Sequence, residues 1–427
     1  MQEDVPEIEL EREVNDQRGS LSHNVRNDSI LTWKNVSYEV DVYKKAGWFK
    51  KAKSTLKILT DVSGYAKSGE CLAIIGGSGA GKSSLLNILA DKFEKGKKAR
   101  FSGEVKLNDH VMDFEKFKKI IGFVMQSDIF MEHIKVNEYL RFAIDMRYDN
   151  LTKEQRNEKL EDVLRKLKLE KCQNNIVGGQ IRKGISGGEK KRLNIGFELL
   201  ADPSVIFLDE PTSGLDSYTS FLIMSLIQRI ARENNVIIVY TIHQPSLDIF
   251  KLFDNLMVLD KGKVVYFGRA EAATDFYASM NYPCPIHISP PNHFIKVALK
   301  GGEETNKEFN QHYSAYTVPE IDMTIQNAKY SPINLNINKA GWTTQFRVLM
   351  VRAFKNFVRN PMTFHVRLAQ VVFLSFIFCC LYFQLSDDFS DPKNVFNMTG
   401  AFFFLSINIF IPYFMSYVLV CKLNSPG

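Results

Sequence analysis

The sequence predicts an α/β domain over residues 30–300, followed by an α-helical region that spans a membrane. The first indication is a series of short apolar strands that alternate with amphipathic helical stretches, a pattern typical of a sheet covered by helices. The second is a glycine-rich turn between one of these strands and a helix. The third is a pair of apolar runs that follow the domain, each of about the 20 residues that a membrane span needs.

The glycine-rich turn lies between an apolar strand, Cys71–Ile75, and a helix predicted over Ser83–Phe93. Glycines let backbone N–H groups surround phosphate oxygens, and the helix N-terminus adds the positive end of its dipole. The turn matches G-x-x-x-x-G-K-[ST], whose lysine reaches the β- and γ-phosphates and whose last hydroxyl binds Mg²⁺. The residues predicted to bind the nucleotide here are Gly76, Gly77, Ser78, Gly79, Ala80, Gly81, Lys82, Ser83 and Ser84. The fold class predicted for this domain is therefore an α/β P-loop NTPase that binds ATP and Mg²⁺.

A second apolar strand, predicted over 204–208, runs directly into the carboxylates Asp209 and Glu210. We predict that Asp209 holds Mg²⁺, directly or through water, together with Ser83. We predict that Glu210 polarises the attacking water as a general base. Apolar strands that end in Asp-Glu are common. Taken alone, the motif is equally compatible with no catalytic role, and its interpretation depends on the motifs around it.

The rest of the α/β domain continues the alternation of strands and helices. Further strands are predicted near 103–107, 120–125, 236–241 and 255–260, and helices near 135–147, 153–169, 189–200 and 217–233. Residues 1–29 form an acidic tail that is expected to be disordered, because its charge is high and it lacks aromatic side chains. Residues 301–340 lack a strong periodicity and are predicted to be a linker with short ordered pieces.

Further motifs make the sequence resemble the ATP-binding cassette family. They are Ser186-Gly187-Gly188-Glu189, Gln126 after an apolar strand, Ser213-Gly214-Leu215-Asp216, and His243 in Thr241-Ile242-His243-Gln244-Pro245. The resemblance implies that Gln126 lies at Mg²⁺ and that His243 lies at the γ-phosphate, both as catalytic residues beside Glu210. It also implies that Ser186, Gly187, Gly188 and Glu189 serve the nucleotide held by the opposite subunit. Asp216 resembles the family's D-loop aspartate and is predicted to bind nucleotide.

Within that family the sequence resembles the G (White-type) half-transporters. The resemblance rests on Glu189 in place of glutamine, on Asp209–Ser217, on Ile242–Ser246 and on Ile249–Asp254, with the ATPase domain placed before the membrane domain. It implies a homodimer, or a heterodimer with another half-transporter, that exports sterols, lipids or other amphipathic small molecules.

The sequence departs from the subfamily in two places. Pro290-Pro291-Asn292-His293-Phe294 stands where the subfamily usually has Asn-Pro-Ala-Asp-Phe. Tyr38 lies near the place of an aromatic residue that stacks on adenine in many family members. We interpret Tyr38 as a core strand residue first and as an adenine platform second.

Composition narrows the function classes and the compartment. Lys and Arg exceed Asp and Glu by only 6, which argues against a dedicated nucleic-acid-binding protein. The six cysteines show no metal-binding spacing, and reduced thiols are expected for a cytosolic ATPase domain. The N-terminal segment is acidic, so we do not expect it to act as a signal peptide. We predict an integral membrane protein whose ATPase domain is cytoplasmic.

The region after the linker begins with a basic amphipathic helix over 341–360, which the family resemblance identifies as the connecting helix. Such a helix can lie at the cytoplasmic face of the membrane, in contact with lipid, or can pack on the ATPase domain. Residues 361–427 are predicted to begin the transmembrane domain, with helices over about 364–385 and 401–421. Arg359 and Arg367 precede the first apolar run, 368–385, and Lys422 follows the second. The start of the first helix and the end of the second are therefore predicted to be cytoplasmic.

Three functional hypotheses follow from these patterns. The first is the ATP-hydrolysing subunit of a half-exporter, cut short after its second transmembrane helix, because two helices cannot enclose a pathway. The second is a transport-incompetent membrane ATPase that regulates full-length partners. The third is a soluble cassette ATPase that acts on ribosomes or DNA, against which the two apolar runs argue.

Overall fold

We describe the protein from a computed structural model. The residues that it describes are 28–45, 51–96, 99–127, 130–149, 151–179, 182–332, 340–382, 392–404 and 406–407. The predicted acidic tail therefore lies almost entirely outside the described residues. The chain divides into two compact units, Met1–Leu349 and Met350–Gly427. Each unit is described by itself.

The strands of the first unit form two sheets. Their bounds are β1 Ile30–Lys45, β2 Lys51–Lys67, β3 Cys71–Gly76, β4 Ala99–Leu107, β5 His110–Val111, β6 Ile121–Val124, β7 Val205–Leu208, β8 Ile237–Thr241, β9 Asn255–Asp260 and β10 Lys263–Arg269. The six-stranded sheet has the order β10-β9-β3-β8-β7-β6, and the four-stranded sheet has the order β2-β1-β4-β5. The larger sheet is parallel except for β10, which pairs antiparallel with β9.

The parallel strands are apolar because helices and the second sheet cover them. Every residue of β3, β7, β8 and β9 is buried, as expected for strands with both faces covered. Strands β6, β7, β8 and β3 are consecutive neighbours in the sheet and run in the same direction. Their carboxyl ends therefore meet along one edge, which is where ligands bind in open α/β sheets.

The smaller sheet is antiparallel, and its long strands β1 and β2 pair along most of their length. The register of β1 shifts beside Asn35, whose φ of 49° is left-handed. Asparagine tolerates this conformation better than most residues. Trp33, Leu31 and Leu59 point from this sheet into a core shared with β3 and with the helix that follows it.

Most of the helices belong to the first unit and cover its sheets. Their bounds are α1 Lys82–Leu89, α2 Phe114–Phe117, α3 Val136–Arg147, α4 Lys153–Lys166, α5 Gly187–Leu199, α6 Ser217–Asn234, α7 Leu247–Phe250, α8 Ala273–Ser279, α9 Pro290–Lys300, α10 Gly302–His312, α11 Val318–Gln326, α12 Trp342–Arg359 and α13 Pro361–Tyr382. A 3₁₀ turn, Glu170–Cys172, lies between α4 and α5. The α/β class predicted for the first domain, followed by a helical region, is confirmed.

Two helical stretches differ from their predicted extents. The helix after the glycine-rich turn ends at Leu89 rather than Phe93, because Asp91 takes a left-handed φ of 53° and ends the helical backbone. The ordered pieces of 301–340 are longer than expected. They include α10, a π-helical turn over Tyr313–Thr317, and α11. Phe309 and Tyr313 are buried against the ATPase-type domain, so this segment is packed on it through apolar contacts.

The N-terminal end of α12 belongs to the first unit and is held there by Asp149. The carboxylate of Asp149 accepts hydrogen bonds from the N–H of Gly341 (2.6 Å) and the hydroxyl of Thr344 (2.8 Å). These bonds satisfy donors at the helix N-terminus, where an anion is also favoured by the helix dipole. Val348, one residue before the unit boundary, packs with Ile134 and Phe142.

The described part of the second unit consists of the rest of α12, α13 and helical backbone over 392–404 and 406–407. Within these described residues, no helix combines the length and apolar character needed to cross a bilayer. The first predicted span, 364–385, falls on α13 up to Tyr382. The second, 401–421, lies mostly outside the described residues, and both spans stay predictions.

Candidate nucleotide-binding site

The glycine-rich turn joins β3 to α1 at the carboxyl edge of the large sheet. Gly79 and Gly81 adopt φ values of 74° and 100°, which residues with a Cβ rarely reach. A Cβ at Gly81 would lie 2.8 Å from Cδ2 of Leu59, whereas the space around Gly79 is open. The tip of the loop, Ser78 and Gly79, is exposed. The loop therefore has the backbone of a phosphate cradle, with its open side toward solvent.

Neighbouring turns fix the loop in place. The N–H of Gly262, in the turn between β9 and β10, donates to the carbonyl of Ala80 (3.0 Å). The carbonyl of Gly262 accepts in turn from the N–H of Thr60 (2.9 Å). The loop conformation is thus held from both sheets before any ligand binds, which lowers the entropy cost of binding.

Lys82 lies at the base of the cradle and is 6% exposed. Its ammonium donates to the carbonyls of Gly76 and Gly77, both at 2.9 Å. Burial lowers the pKa of Lys82, and the nearby carboxylates of Glu210 and Asp209 counter that shift. The side chain is thus folded back onto its own loop, within reach of an anion that would enter the cradle.

Asp209 connects three strands at the carboxyl edge. One of its oxygens, Oδ1, accepts from the hydroxyl of Ser83 (3.0 Å) and from the hydroxyl of Thr241 (2.6 Å). Ser83 follows the glycine-rich turn, and Thr241 ends β8 and is fully buried. A carboxylate and a hydroxyl at this distance match the protein ligands of a Mg²⁺ ion whose other ligands are phosphates and water.

Glu210 occupies a strained backbone position beside Asp209. Its φ is 44°, an uncommon value for a residue with a long side chain. The N–H of Glu210 donates to Oγ1 of Thr241 (2.9 Å), and its carboxylate accepts from the amide of Gln126 (2.8 Å). Thr241 therefore binds both acidic residues at once. Backbone strain of this kind is concentrated at functional sites.

These contacts bring five residues into one hydrogen-bonded network at the carboxyl edge. Its members are Ser83, Gln126, Asp209, Glu210 and Thr241. Sequence reasoning identified four of them and missed Thr241. Its position at the end of β8, two residues before His243, was the available signal, because strand ends meet at this edge.

The residues Ser186 to Glu189 form the beginning of α5. The hydroxyl of Ser186 accepts from the N–H of Glu189 (3.3 Å), and the carboxylate of Glu189 accepts from the N–H of Ser186 (2.7 Å). This reciprocal pair is a capping box. Ser186 and Gly187 are exposed, whereas Gly188 packs so closely on Thr219 that a Cβ would lie 2.5 Å from its Cγ2.

Asp216 has a local role in the single chain, and His243 is exposed. Asp216 caps α6 by accepting from the N–H of Thr219 (2.9 Å), and this bond lowers the pKa of its carboxyl. His243 is exposed just beyond β8. Asp216 and the turn at Ser186 therefore do not take part in the hydrogen-bonded network around Asp209, and their predicted contact with nucleotide stays a prediction.

The two departures from the subfamily pattern have structural explanations. Tyr38 is 7% exposed and packs edge-on against Phe93 with ring centroids 5.5 Å apart. It is therefore a core residue, as the first interpretation holds, and does not offer a ring face to a base.

His293, in the second of these segments, is buried, and its Nε2 lies 2.9 Å from the carbonyl of Tyr282. The ring of Phe294 stacks on that of Tyr277, with the ring centroids 4.3 Å apart. The segment that differs from the subfamily pattern, 290–294, thus forms the N-terminal part of α9 and anchors this helix.

Comparison with known proteins gives three family matches and a set of related chains. Residues 59–213 match a model described as ABC transporter, and residues 243–348 and 344–424 match two models described as ABC-2 type transporter. The broad substrate specificity ATP-binding cassette transporter ABCG2 of Rattus norvegicus is 35% identical over 412 residues, covering 89% of this chain and 61% of that protein. ABC transporter G family member 22 of Dictyostelium discoideum is 32% identical, covering 92% and 64%. Protein white of Drosophila melanogaster is 32% identical, covering 84% and 56%.

The fold and the site define a nucleotide-binding P-loop domain followed by a helical transporter region. The chain belongs to the ATP-binding cassette transporter family, and its relatives are G-family half-transporters that carry the nucleotide-binding domain first. The chain spans about three fifths of the length of these relatives.

Proposed function

We propose that the chain is the ATP-binding and ATP-hydrolysing part of a G-family half-transporter that moves amphipathic small molecules across a membrane. The observation that carries this proposal is the network that joins Ser83, Asp209, Glu210, Gln126 and Thr241 below the phosphate cradle. The glycine-rich loop would supply the cradle, and this network would supply the cation site and the base, which are the parts that phosphoryl transfer to water requires.

Binding of ATP would use the cradle and Lys82. The backbone N–H groups of the loop and the N-terminus of α1 would surround the β- and γ-phosphates. The ammonium of Lys82, now 2.9 Å from the carbonyls of Gly76 and Gly77, would move to the phosphates. This exchange replaces two neutral acceptors by an anion, which strengthens the hydrogen bonds.

The hydroxyl of Ser83, the carboxylate of Asp209 and the side chain of Gln126 would hold Mg²⁺. When bound, Mg²⁺ neutralises charge on the phosphate oxygens. The present arrangement fits such an ion, because Ser83 and Asp209 are already 3.0 Å apart at the edge of the cradle. Thr241 keeps the carboxylate of Asp209 in this orientation through its 2.6 Å bond.

Glu210 would accept a proton from the attacking water. Its carboxylate follows β7 directly and is oriented by the amide of Gln126. A base held within hydrogen-bond reach of its water contributes about 10²–10⁴-fold to the rate. His243, exposed at the neighbouring strand end, would contact the γ-phosphate.

The complete site would include a second copy of this chain, or a related half-transporter. Ser186, Gly187 and Asp216 are exposed in the single chain. The N-terminus of α5 presents N–H groups that suit a phosphate. A head-to-tail dimer would place this turn against the nucleotide held by the partner, and closure of the dimer would drive transport.

The membrane assignment rests on two observations. Residues 243–424 match the two ABC-2 type transporter models, and α12 carries exposed Trp342, Phe346 and Phe354 together with basic side chains. A basic helix with aromatic side chains suits the lipid interface of a cytoplasmic leaflet. We therefore propose an integral membrane protein with its ATPase domain in the cytoplasm.

The proposal is tested on membranes from cells that produce the chain. After an alkaline carbonate wash, we expect the chain to remain in the membrane pellet and to hydrolyse Mg-ATP after detergent extraction. Release into the supernatant would support a soluble cassette ATPase instead. Failure of the extracted, nucleotide-binding protein to hydrolyse ATP in the presence of Mg²⁺ would contradict the assigned activity.

Replacement of Thr241 tests the network itself. Thr241→Val keeps the shape but removes the hydroxyl that binds both Asp209 and the N–H of Glu210. We expect kcat for ATP to fall about tenfold, since misplacement of catalytic groups by about 1 Å can cost up to 10²-fold. Steady-state ATPase assays measure this, and Thr241→Ser should retain most of the activity. Equal activity of the valine variant and the parent would show that the hydroxyl is dispensable.

A further inference from the structure

A buried lysine on α5 contacts the loop that carries Gln126. Lys191 is 3% exposed, although it lies within a run of charged residues that would ordinarily face solvent. Its ammonium donates to the carbonyls of Met125 (3.3 Å) and Gln126 (3.2 Å). Burying an ammonium group is costly unless it is hydrogen-bonded. The side chain of Lys191 is therefore held against this loop by hydrogen bonds.

The contact continues from the loop to the acidic network. Gln126, whose carbonyl binds Lys191, donates its side-chain amide to the carboxylate of Glu210 (2.8 Å). Two hydrogen-bonded steps thus connect α5 with the predicted general base. Loops without such contacts move more freely than the elements that they join. A fixed backbone at Gln126 is what orients its amide toward Glu210.

We propose that Lys191 is a positioning residue for ATP hydrolysis, which acts by holding the backbone of Gln126 so that its amide orients Glu210. This inference rests on the proposed function. Ser186 is the N-cap of the same helix, so Lys191 connects the turn that would serve the partner's nucleotide with the loop that would serve the chain's own. A change at one nucleotide would thereby be transmitted to the base at the other.

The neighbouring Arg192 distinguishes this role from simple anchoring of α5. Its guanidinium donates to the carbonyls of Leu167 (3.2 Å) and Lys168 (3.3 Å), where α4 ends. The two consecutive basic residues thus bind different elements. Arg192 binds the end of α4 in the helical part of the domain, and Lys191 binds the Gln126 loop at the edge of the sheet. Arg192 supports the orientation of α5 relative to α4. Lys191 makes the contact between α5 and the Gln126 loop.

The test is a double-mutant cycle between Lys191 and Gln126, measured as kcat for ATP on the detergent-extracted chain. Lys191→Met is expected to lower kcat about tenfold and to change the ATP dissociation constant less than about twofold. In a Gln126→Ala background the same change should lower kcat less than about twofold, because the amide through which Lys191 acts is gone. Independent effects that multiply would overturn the proposal and indicate a purely structural role.

Two controls complete the design. Lys191→Arg keeps donors for both carbonyls and is expected to retain at least about half of the parent kcat. If Lys191→Met does not fold, Lys191→Gln, whose shorter and uncharged side chain can reach at most one of the two carbonyls, carries the same cycle with a smaller expected loss of kcat. Lys171→Met removes an exposed lysine from the same domain and should leave kcat unchanged. A parent chain without ATPase activity would count against the proposed function, whereas an active parent with an equally active Lys191→Met variant would count against this inference alone.

Discussion

Glu210→Gln is expected to lower kcat for ATP at least about 10²-fold while ATP stays bound, because the substitution removes the base and little else. The glutamine amide oxygen can still accept from the amide of Gln126, which is 2.8 Å from the carboxylate in the parent. The backbone N–H of residue 210 keeps its bond to Thr241. The strained φ of 44° is as accessible to glutamine as to glutamate.

The measurement compares turnover with the chemical state of the bound nucleotide. The parent should release ADP continuously, whereas the variant should retain intact ATP after rapid removal of free nucleotide. Glu233→Gln changes an exposed carboxylate on α6 and should behave as the parent. Turnover by Glu210→Gln at the parent rate would mean that the base lies elsewhere in the site.

The parallel part of the fold could be predicted because its strands are short, continuously apolar and followed by recognisable turns. Val205–Leu208 is apolar and buried throughout, and it leads directly into Asp209. The strand and its C-terminal boundary can therefore both be recognised in the sequence. The helix Ser217–Asn234 begins at a capping aspartate, Asp216, whose contact is local in the chain. Local signals of this kind need no knowledge of the tertiary structure.

Other features depend on contacts between distant residues and were not predictable. Lys191 reads as one of three consecutive basic residues, and only the packing of α5 against the Gln126 loop explains its burial. Thr241 looks like an ordinary strand residue until β7 and β8 are paired. Phe309 and Tyr313 lie in a polar segment without a clear period, so their burial depends on the surface offered by the rest of the domain.

The predicted site itself separates into a part that one chain supplies and a part that it leaves exposed. Ser83, Asp209 and Glu210 meet within one chain because β3 and β7 lie on either side of β8 and end at the same edge of the sheet. Ser186 and Asp216 instead satisfy their own helix ends. Their exposure is what we expect of groups whose ligand is held by another subunit, and it supports the dimer proposed here.

Lys82→Met is the second substitution with a large expected effect, and it acts on binding rather than on turnover. Methionine is nearly as long as lysine but carries no charge. It therefore fills the space of the buried lysine side chain while the ammonium group is removed. We expect the ATP dissociation constant to rise about 10²-fold, which corresponds to about 2.7 kcal/mol. This is the order of magnitude expected for loss of a charge-assisted hydrogen bond to phosphate. Binding of a fluorescent ATP analogue measures the change.

The fold should survive this substitution, and that expectation makes the binding result informative. Removing the buried ammonium leaves the carbonyls of Gly76 and Gly77 without its hydrogen bonds, but it also removes the cost of burying a charge beside them. These two effects oppose each other, so thermal unfolding of Lys82→Met should stay within a few degrees of the parent. Lys153→Met, on the exposed face of α4, is the matched control and should bind as the parent does. Parent-like affinity in Lys82→Met would mean that the glycine-rich loop holds phosphate through its backbone alone.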